Sequence, residues 1–495
     1  MQKSKGIFKE AANGKAPASL SHSFSGAKPS KAKKQPAAGI AVQRWRIPMP
    51  HQGQIVRRTA AVFLAFVLIV GLLPGLAAAQ DLSTQAARTA PADAIVPLDG
   101  PVLAGKPVTF KLSGNPSNPH WDLGDGATAD GLSVTHTYQN PGTYHVRMGT
   151  GSGSTFNELS SAIVRVHTPE TLHLPQILLD TDAANEIDDQ HAIAYAVFSE
   201  LDVLAITSTG WIKWADADQT RLTHTWDAED RSYIEILRVL DLAQQSGLPD
   251  ERVPMVFRGA KQPLRNVGLT SDRWFDTELV ITEASNAILA AARGASPDNP
   301  VWVLPIGPLT NVAIALLQVR QEGWETEFHK RIRVCWLGGG PDGASTHANG
   351  GRDPWAPWVT YKSGIEFVMF LERPTGFSIN FDPDTDVALY PSNPLGDYLK
   401  TRTLNYVNNP NRVPPGTFKG MYDLGVLSYV ISEHLNKPWI KTVTPSIMLS
   451  DAPYEPQSTT GSTNLDVVHE IDVAAIRKDF WDTLNGRPTS LPPKR

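Results

Sequence analysis

Residues 176–189 read QILLDTDAANEIDD, and this stretch decides the fold of most of the chain. Residues 177–179 are a short apolar run, which is typical of a buried strand. After the acidic residues, apolar side chains between Ala192 and Val197 recur at helical spacing, and residues 201–207 form another apolar run. The order strand, loop, helix, strand predicts a βαβ unit of a parallel sheet.

The rest of the C-terminal part continues this alternation. Further strands are predicted at residues 253–257, 301–305 and 332–337, and a helix is predicted at residues 311–318. We therefore expect residues 172–486 to form an α/β domain with a mainly parallel sheet and flanking helices. Function in such sheets lies at the carboxyl ends of the strands, which is where the acidic loop stands.

The acidic loop carries five carboxylates within ten residues: Asp180, Asp182, Glu186, Asp188 and Asp189. Their mutual repulsion at one strand end favours a bound cation. Hard oxygen donors in a flexible loop suit Ca²⁺, which takes about 6–8 oxygen ligands. The alternative is a solvated acidic turn that caps the following helix, because acidic residues stabilise the helix dipole at that end.

Residues 94–168 show the short alternating strands of an all-β domain. The segments WDLGDG at 121–126, HTY at 136–138 and PGTYHV at 141–146 resemble, in the same order, those of the PKD family of immunoglobulin-like domains. The resemblance implies a β-sandwich that serves as a spacer or adhesion module, with contact to a cell surface or polysaccharide. Asp122 and Asp125 are either cation ligands or residues that shape the turn.

The N-terminus has the layout of a secretory signal peptide. Two arginines at 57–58 precede an apolar run at 60–76, and three alanines at 77–79 offer a cleavage site. A signal peptide at residues 49–79 that starts from Met49 has ordinary length. Residues 1–48 are then a polar stretch that we expect to be disordered, and residues 80–93 a linker. The prediction is a secreted, periplasmic or cell-surface protein, and an uncleaved membrane anchor is the alternative.

Charge is unevenly distributed along the chain. The formal net charge is -5, but residues 1–79 contain 12 of the 45 Lys/Arg and one of the 50 Asp/Glu, so residues 80–495 carry -16. A chain this acidic is a poor match for nucleic acid. The single cysteine, Cys335, allows no intramolecular disulfide. The sequence contains no P-loop, dinucleotide fingerprint, zinc motif or G-x-S-x-G, which sets those enzyme classes aside.

Several segments resemble the inosine/uridine-preferring nucleoside hydrolase family. The D-x-D and D-D pairs within residues 180–189 match its signature, and LPIGPLTNVA at 304–313 matches its G-P-L-T-N segment. VFRGA at 256–260 and MYDLGVL at 421–427 are similar to its V-x-x-G-A and H-D-P-x-A-V stretches. The resemblance implies a calcium-dependent hydrolase that cleaves the N-glycosyl bond of a nucleoside or a related ribosyl or glycosyl compound, by means of a metal-bound water.

The same resemblance implies a set of metal ligands. Asp182 would bind Ca²⁺ and, as the catalytic base, take a proton from the metal-bound water. Asp189 would be a bidentate ligand, and the Thr310 carbonyl and the Asp423 carboxylate would complete the protein ligands. Asp180 would orient the loop from behind the ligands.

Substrate contacts are implied in the same way. Asp188 would accept a hydrogen bond from a sugar hydroxyl, and Asn349 would contact the sugar. Tyr422 stands where the family has a histidine that is credited with protonating the leaving base, and Trp211 stands where the family often has an asparagine. Both are therefore candidate substrate-binding residues.

The chain departs from the family at further points. The step from Asp182 to Asp188 is six positions where the family usually has four, so the loop is two residues longer. The stretch APWVTY at 356–361 lacks both residues of the E-x-N element that grips the 5′-hydroxyl of the sugar. These differences predict that the metal ligands of the family are retained, whereas the residues that contact the substrate differ from those of the family.

Four tryptophans have two possible roles. They form an aromatic platform for a sugar or a base, or they pack the loops together: Trp211, Trp214, Trp355 and Trp358. His224 and His347 either donate a proton to a leaving group or are solvated at the surface.

The leading hypothesis is hydrolysis of a small-molecule nucleoside or glycoside. The alternative is a catalytically weak or inactive calcium-containing protein that binds a glycan or a surface polymer. Loss of the sugar-gripping residues favours the alternative, whereas retention of Asp182 favours the hydrolase. The sequence leaves open whether the protein forms a homo-oligomer.

Overall fold

The computed structural model describes residues 93–216, 219–224, 227–265, 277, 279–409, 418–443 and 462–486. A small β-sandwich is followed by a larger α/β domain, in the order that the sequence predicts. The predicted disordered stretch at 1–48, the signal peptide at 49–79 and the linker up to residue 92 lie outside the described residues. Within the described ranges, the helices lack the length and apolar composition needed to cross a bilayer.

The sandwich is built from short strands that enclose an aromatic core. They are β1 (Val102–Leu103), β2 (Pro107–Lys111), β3 (Pro119–Asp122), β4 (Thr128–Asp130), β5 (Ser133–Thr137), β6 (Gly142–Thr150) and β7 (Asn157–His167). One sheet has the order β1-β7-β6-β3-β4, and β2 pairs with β5 in a second sheet. Phe110, Trp121 and Tyr138 are fully buried in the core between them.

The Asp-Gly turn after β3 is held by its own side chains. Asp122 accepts a hydrogen bond from the backbone N–H of Gly124 and pairs with Arg147. Asp125 accepts from the N–H of Ala127 and lies 2.7 Å from Nε2 of His136. Both carboxylates therefore shape the turn, which is the second of the two interpretations that the sequence allowed.

The α/β domain is centred on a mainly parallel sheet, as predicted. Its order is β10-β9-β8-β11-β12-β13-β17-β16, and each neighbouring pair is parallel except β16 with β17. The strands are β8 (Gln176–Thr181), β9 (Asp202–Ser208), β10 (Met255–Phe257), β11 (Val301–Pro305), β12 (Ile332–Leu337), β13 (Phe367–Phe370), β16 (Ile440–Val443) and β17 (Leu465–Ile471). A separate antiparallel pair is formed by β14 (Asn380–Phe381) and β15 (Lys419–Gly420).

Helices flank the sheet on both faces. They are α1 (Asp188–Phe198), α2 (Ala228–Gln245), α3 (Glu283–Gly294), α4 (Thr310–Glu322), α5 (Glu325–His329), α6 (Ala348–Arg352), α7 (Trp355–Ser363), α8 (Pro383–Asp386), α9 (Pro394–Val407), α10 (Leu424–Leu435) and α11 (Val473–Leu484). Short 3₁₀ turns occupy Gly153–Thr155, Asp250–Arg252 and Val387–Leu389, and an irregular helical turn occupies Glu372–Gly376.

Local sequence sets several helix ends. Asp227 precedes α2 and accepts a hydrogen bond from the N–H of Asp230, and Thr282 forms a capping box at the start of α3. Gly323 ends α4 with φ 75°, a left-handed conformation that favours glycine. These signals fix where the helices begin and end, and therefore which loops remain at the carboxyl edge of the sheet.

The core lies on both faces of the central strands. In β8, Leu178 packs in one hydrophobic cluster, while Ile177 and Leu179 pack in the other. Cys335 in β12 is fully buried, in agreement with a packing role. A strand with both faces buried needs continuous apolar residues, which explains the short apolar runs in the sequence.

Candidate active site

The carboxyl ends of β8 and β9 meet at a buried aspartate. Asp180, within β8, accepts hydrogen bonds from the Thr207 hydroxyl at 2.6 Å and from Nδ2 of Asn311 at 2.8 Å. Asn311 also donates to the Ser208 carbonyl and accepts from the N–H of Ala260. Burial raises the pKa of Asp180 to about 7, although both hydrogen bonds oppose the shift. Asp180 thus ties β8, β9 and α4 together behind the acidic loop.

Three carboxylates converge next to this strand end. Asp188 and Asp189, which open α1, and Asp423, which precedes α10, are all buried, and one ligand atom of each lies within 4.8 Å of the others. Burial, reinforced by mutual repulsion, raises the pKa of Asp189 and Asp423 well above its ordinary value. Such a cluster of hard oxygen donors fits a divalent cation, because a cation removes the repulsion that burial intensifies.

Asp182 lies beside this cluster and has its own counter-ion. Its Oδ2 is 2.8 Å from a guanidinium nitrogen of Arg352, the last residue of α6, and its side chain is buried. Burial raises the pKa of Asp182 to about 6, and Arg352 opposes the rise. A Cβ at Gly307 would lie 3.0 Å from Oδ1 of Asp182, so the glycine lets the backbone pass close to this carboxylate.

A buried lysine neutralises the other side of the loop. The ammonium of Lys419 lies 2.9 Å from Asp188 and 2.8 Å from Glu186, and it also donates to the Gly420 carbonyl. Burial by itself lowers the pKa of Lys419, but Asp188 and Glu186 outweigh it and raise the pKa above the ordinary value. Glu186 belongs to the loop that is two residues longer than in the family, so the longer loop supplies a partner for this cation.

These residues surround a cavity with about 790 Å³ of empty space, counting its open mouth. Six acidic residues and two arginines line it. Among the predicted site residues, the following line the cavity: Asp182, Asp188, Asp189, Asn349, Tyr422 and Asp423. Thr310, Trp211 and Asp180 do not. Thr310 is the buried first residue of α4, with its hydroxyl bonded to Asp353, and Trp211 is half-buried in the loop after β9.

Asn349 is held rigidly in the cavity wall. Its Nδ2 donates to the carbonyls of Ile306 and Leu337, at 2.9 and 3.0 Å. Its backbone N–H and that of Ala348 donate to the carboxylate of Glu372. Burial raises the pKa of Glu372 to about 7, against these two hydrogen bonds. Glu372 thereby fixes the start of α6, which presents both Asn349 and Arg352 to the cavity.

The stretch at 356–361, which was compared with the family's E-x-N element, lies inside α7 and does not line the cavity. On that side the cavity is lined by His347, Asn349 and Glu372. The stretch is therefore not placed to contact a molecule in the cavity. His347-Ala348-Asn349 has the same x-x-Asn spacing, with a histidine in place of the glutamate.

Tyr422 stands at the mouth of the cavity. Its N–H donates to Oδ2 of Asp188, and its hydroxyl accepts from a guanidinium nitrogen of Arg373 at 3.4 Å. The Tyr422 ring lies 5.9 Å from that of Phe377, and the Arg373 guanidinium lies 4.3 Å above the Phe377 ring. Burial raises the pKa of Tyr422 above its ordinary value, so its hydroxyl keeps its proton at neutral pH.

The tryptophans do not form a common platform. Trp355 and Trp358 are 1% and 2% exposed and belong to a hydrophobic core cluster, so the packing alternative is correct for them. Trp214 donates through its indole N–H to the Leu264 carbonyl and lines a different cavity. His224 is exposed beside that second cavity, whereas His347 is half-buried in the acidic one.

Four residues of the site were missed in the sequence: Arg352, Glu372 and Arg373, which line the cavity, and Lys419, which binds Asp188. Arg352 and Lys419 pair with residues 170 and 231 positions away, so local spacing carries no signal for them. Glu372 and Arg373 follow a strand end, β13, which was the available clue in a parallel sheet.

Comparison with known proteins agrees with this geometry. Residues 177–477 match the family model of the inosine-uridine preferring nucleoside hydrolases, and residues 89–164 match that of a PKD domain. The non-specific ribonucleoside hydrolase RihC of Shigella boydii is 28% identical over 307 residues, which cover 60% of this chain and 89% of that protein. RihC of Escherichia coli is 26% identical over 306 residues, with the same coverage.

Two nucleoside hydrolases are among the solved structures that this chain matches. A purine-preferring ribonucleoside hydrolase from Gardnerella vaginalis is 18% identical, covers 63% of this chain and 98% of its own, and has a TM-score of 0.44. An inosine-guanosine nucleoside hydrolase is 17% identical, covers 63% and 99%, and has a TM-score of 0.45.

The family match spans more than half of the chain and contains the aspartates that surround the cavity. It confirms the resemblance seen in the sequence, including the order of the two domains. The protein therefore belongs to the inosine-uridine preferring nucleoside hydrolase family and is a hydrolase that acts on N-glycosyl bonds.

Proposed function

We propose that this protein is a secreted, calcium-dependent hydrolase that cleaves the N-glycosyl bond of a ribonucleoside or a related ribosyl compound. The observation that carries the proposal is the cluster of Asp188, Asp189 and Asp423 at one end of a cavity, with Asp182 beside it. The relatives named above are ribonucleoside hydrolases, which supports the ribosyl class of substrate.

The donor set suits Ca²⁺ better than a softer metal, because carboxylate oxygens are hard ligands. Among the residues that the structure describes, Asp188, Asp189 and Asp423 are grouped tightly enough to hold the ion. Asp182 and the Thr310 carbonyl remain ligands that the family resemblance implies. When bound, Ca²⁺ supplies positive charge that lowers the pKa of water and holds vicinal hydroxyls.

Asp182 is the residue we propose as the proton acceptor. Its carboxylate lines the cavity, and Arg352 holds its Oδ2. The ion pair favours the ionised form that a base requires, against the effect of burial. A general base contributes typically about 10²–10⁴-fold to a rate, so Asp182 is the side chain whose loss should cost most in kcat.

The other cavity residues bind and orient the sugar. Asp188 offers carboxylate oxygens to a sugar hydroxyl, while Lys419 and the Tyr422 N–H hold it in place. Cleavage of a ribosyl C–N bond builds positive charge on the sugar ring, which fixed carboxylates stabilise. Asn349 lines the same cavity at a fixed orientation, suited to contact with the sugar.

Export and the ligands of the sandwich are further parts of the proposal. We propose that residues 49–79 direct secretion and are removed, and that the outer surface of the β-sandwich contacts a cell surface or polysaccharide. N-terminal sequencing of the exported protein tests the first point, since a mature N-terminus near Gln80 is expected.

An assay of sugar release tests the hydrolase directly. The secreted protein is incubated with a panel of nucleosides and p-nitrophenyl ribofuranoside, with Ca²⁺ or with a chelator, beside Asp182→Asn. Turnover that requires Ca²⁺ and falls at least about 100-fold in the variant supports the proposal. Ca²⁺ binding by calorimetry without turnover on any substrate would instead support the calcium-containing binding protein.

A further inference from the structure

Strand β7 of the sandwich is buried on both faces. Between Ser160 and His167, every residue except the half-buried Arg165 is buried. Ala162, Val164 and Val166 point into the sandwich core, whereas Ile163 belongs to the hydrophobic core cluster of the α/β domain. A freely moving module would expose the second face of this strand to water, whereas Ser161, Ile163 and His167 on that face are buried.

Helix α3 of the α/β domain packs against this second face. A Cβ at Gly294 would overlap the carbonyl oxygen of Ile163, so the helix end can approach the strand only because residue 294 is glycine. The adjacent Arg293 is 6% exposed and donates to the Ser161 carbonyl, and its own carbonyl accepts from the N–H of Leu98 at 2.9 Å. The backbones of α3 and β7 are therefore in direct contact at this point.

Polar contacts fix the same face at a second place. Two guanidinium nitrogens of Arg165 bind the two carboxylate oxygens of Asp202, at 2.9 and 2.7 Å, in a bidentate pair. Nε2 of His167 lies 3.0 Å from the side-chain amide nitrogen of Gln176. Arg165 is 11% exposed and Asp202 8% exposed at the side chain, so the pair is largely shielded from solvent and from salt.

The two anchored residues begin the strands that carry the site. Gln176 is the first residue of β8, which ends at the acidic loop, and Asp202 is the first residue of β9, which carries Thr207. Thr207 in turn donates to Asp180. The sandwich thus holds the amino ends of the two strands whose carboxyl ends position the catalytic loop.

We infer that the β-sandwich is a fixed brace of the hydrolase domain and folds with it as one unit, rather than a spacer that moves independently. Domains of one chain move relative to each other unless their interface is large and apolar. Here Ile163 of the sandwich packs in the core cluster of the α/β domain, Gly294 lies in close contact with its carbonyl, a shielded ion pair crosses the boundary, and both parts fall within one compact unit.

A cut in the connection between the two domains tests this inference. A protease site is inserted between Pro169 and Glu170, which are exposed, and the purified full chain is cleaved to completion. We expect the two fragments to co-elute in gel filtration as one species and to unfold in one calorimetric transition. Separation of the fragments of the otherwise unchanged protein, or two independent transitions, would overturn the inference.

Two variants of the cleavable chain show which face holds the fragments. Ile163→Glu should release the sandwich after cleavage, whereas Leu159→Glu, at a position on the same strand that is 45% exposed, should leave the fragments together. If Ile163→Glu fails to fold, Arg165→Met serves in its place, since it removes the bidentate pair without inserting a charge into the core. Retention of the sandwich by both of these interface variants after cleavage would also contradict the inference.

Discussion

The guanidinium of Arg352 lies 2.8 Å from Oδ2 of Asp182, which places a permanent positive charge beside the carboxylate proposed as the catalytic base. On the other side of the same loop, Lys419 holds Asp188. The two cationic side chains come from distant parts of the chain. They neutralise part of the negative charge of a cavity that six acidic residues line. The site therefore folds around two internal counter-ions, and a divalent cation that binds there would meet a negative field that they have already weakened.

Replacement of Arg352 by Met should change metal affinity and stability in opposite directions. The guanidinium of Arg352 would repel a cation bound near Asp182. Two unit charges about 4 Å apart interact by roughly 4 kcal/mol at an effective dielectric constant of about 20. Loss of this repulsion should therefore tighten Ca²⁺ binding by at least about tenfold. Without metal, Asp182 is left buried and unpaired, and the free energy of unfolding should fall by about 3 kcal/mol. Calorimetric titration and denaturant unfolding in chelator measure the two effects.

Arg333→Met is the matched control, because Arg333 is 41% exposed and pairs with the exposed Glu366. It should change neither quantity by more than about 0.5 kcal/mol, as is usual for surface ion pairs. Weaker Ca²⁺ binding in Arg352→Met would show that Arg352 supports the metal site and does not compete with it.

Lys419→Met should make the fold depend on the metal. The ammonium is 3% exposed at the side chain and binds both Asp188 and Glu186, so its loss removes the positive charge beside the buried Asp188. Breaking a buried pair costs about 3–5 kcal/mol, and a bound cation should recover much of this by replacing the lost charge. We expect a larger rise in Tm on addition of Ca²⁺ than in the unchanged protein. An equal rise in Tm in both proteins would show that Lys419 does not interact with the metal site.

The part of the site that could be predicted from the sequence is local. Asp182, Asp188 and Asp189 follow one strand and open one helix, so a strand–loop–helix pattern places them together at the carboxyl edge. Asp423 was found through its resemblance to a family segment. Lys419, four residues earlier, was not found, because a lone lysine before a turn looks the same whether it is buried or solvated.

Burial was the other property that sequence patterns did not supply. Trp355 and Trp358 lie near the site in the sequence, yet their helix turns them into the core. Strand β7 has apolar residues on one face and a mixture on the other, and only the packing of α3 shows that both are covered. In each case the deciding contact is with an element far along the chain, whose position follows from the completed fold.

Asp180 should behave as a positioning residue. Its Oδ1 accepts from Thr207 and Asn311, and Asp180→Asn retains that acceptor, whereas Asp180→Ala removes the acceptor from both of these buried donors. We expect Asp180→Ala to lose about 2–3 kcal/mol of unfolding free energy and Asp180→Asn about 1 kcal/mol or less. In both variants KM should stay unchanged and the pH profile of kcat should keep its shape, because the Asp180 carboxylate does not line the cavity. A shifted pH profile in Asp180→Asn would instead assign Asp180 to proton transfer.

His329 should make the protein less stable in mild acid. Burial lowers the pKa of His329 to about 4, from an ordinary value of about 6.5. Above pH 6.5 the ring is neutral in both states, but as the pH falls from about 6.5 to about 4 only the unfolded chain gains the proton. The free energy of unfolding should therefore fall over this window, by up to about 3 kcal/mol from this residue alone.

Denaturant unfolding at pH 7 and pH 4.5 isolates the contribution of His329. His329→Phe keeps an aromatic ring and cannot be protonated, so its loss of stability between the two pH values should be smaller than that of the unchanged protein by about 2 kcal/mol. His469→Phe, at an exposed histidine in β17, is the matched control substitution. If His329→Phe and the unchanged protein lose the same stability between pH 7 and pH 4.5, the acid sensitivity comes from other buried groups, because protonation of His329 would then have the same cost in both states.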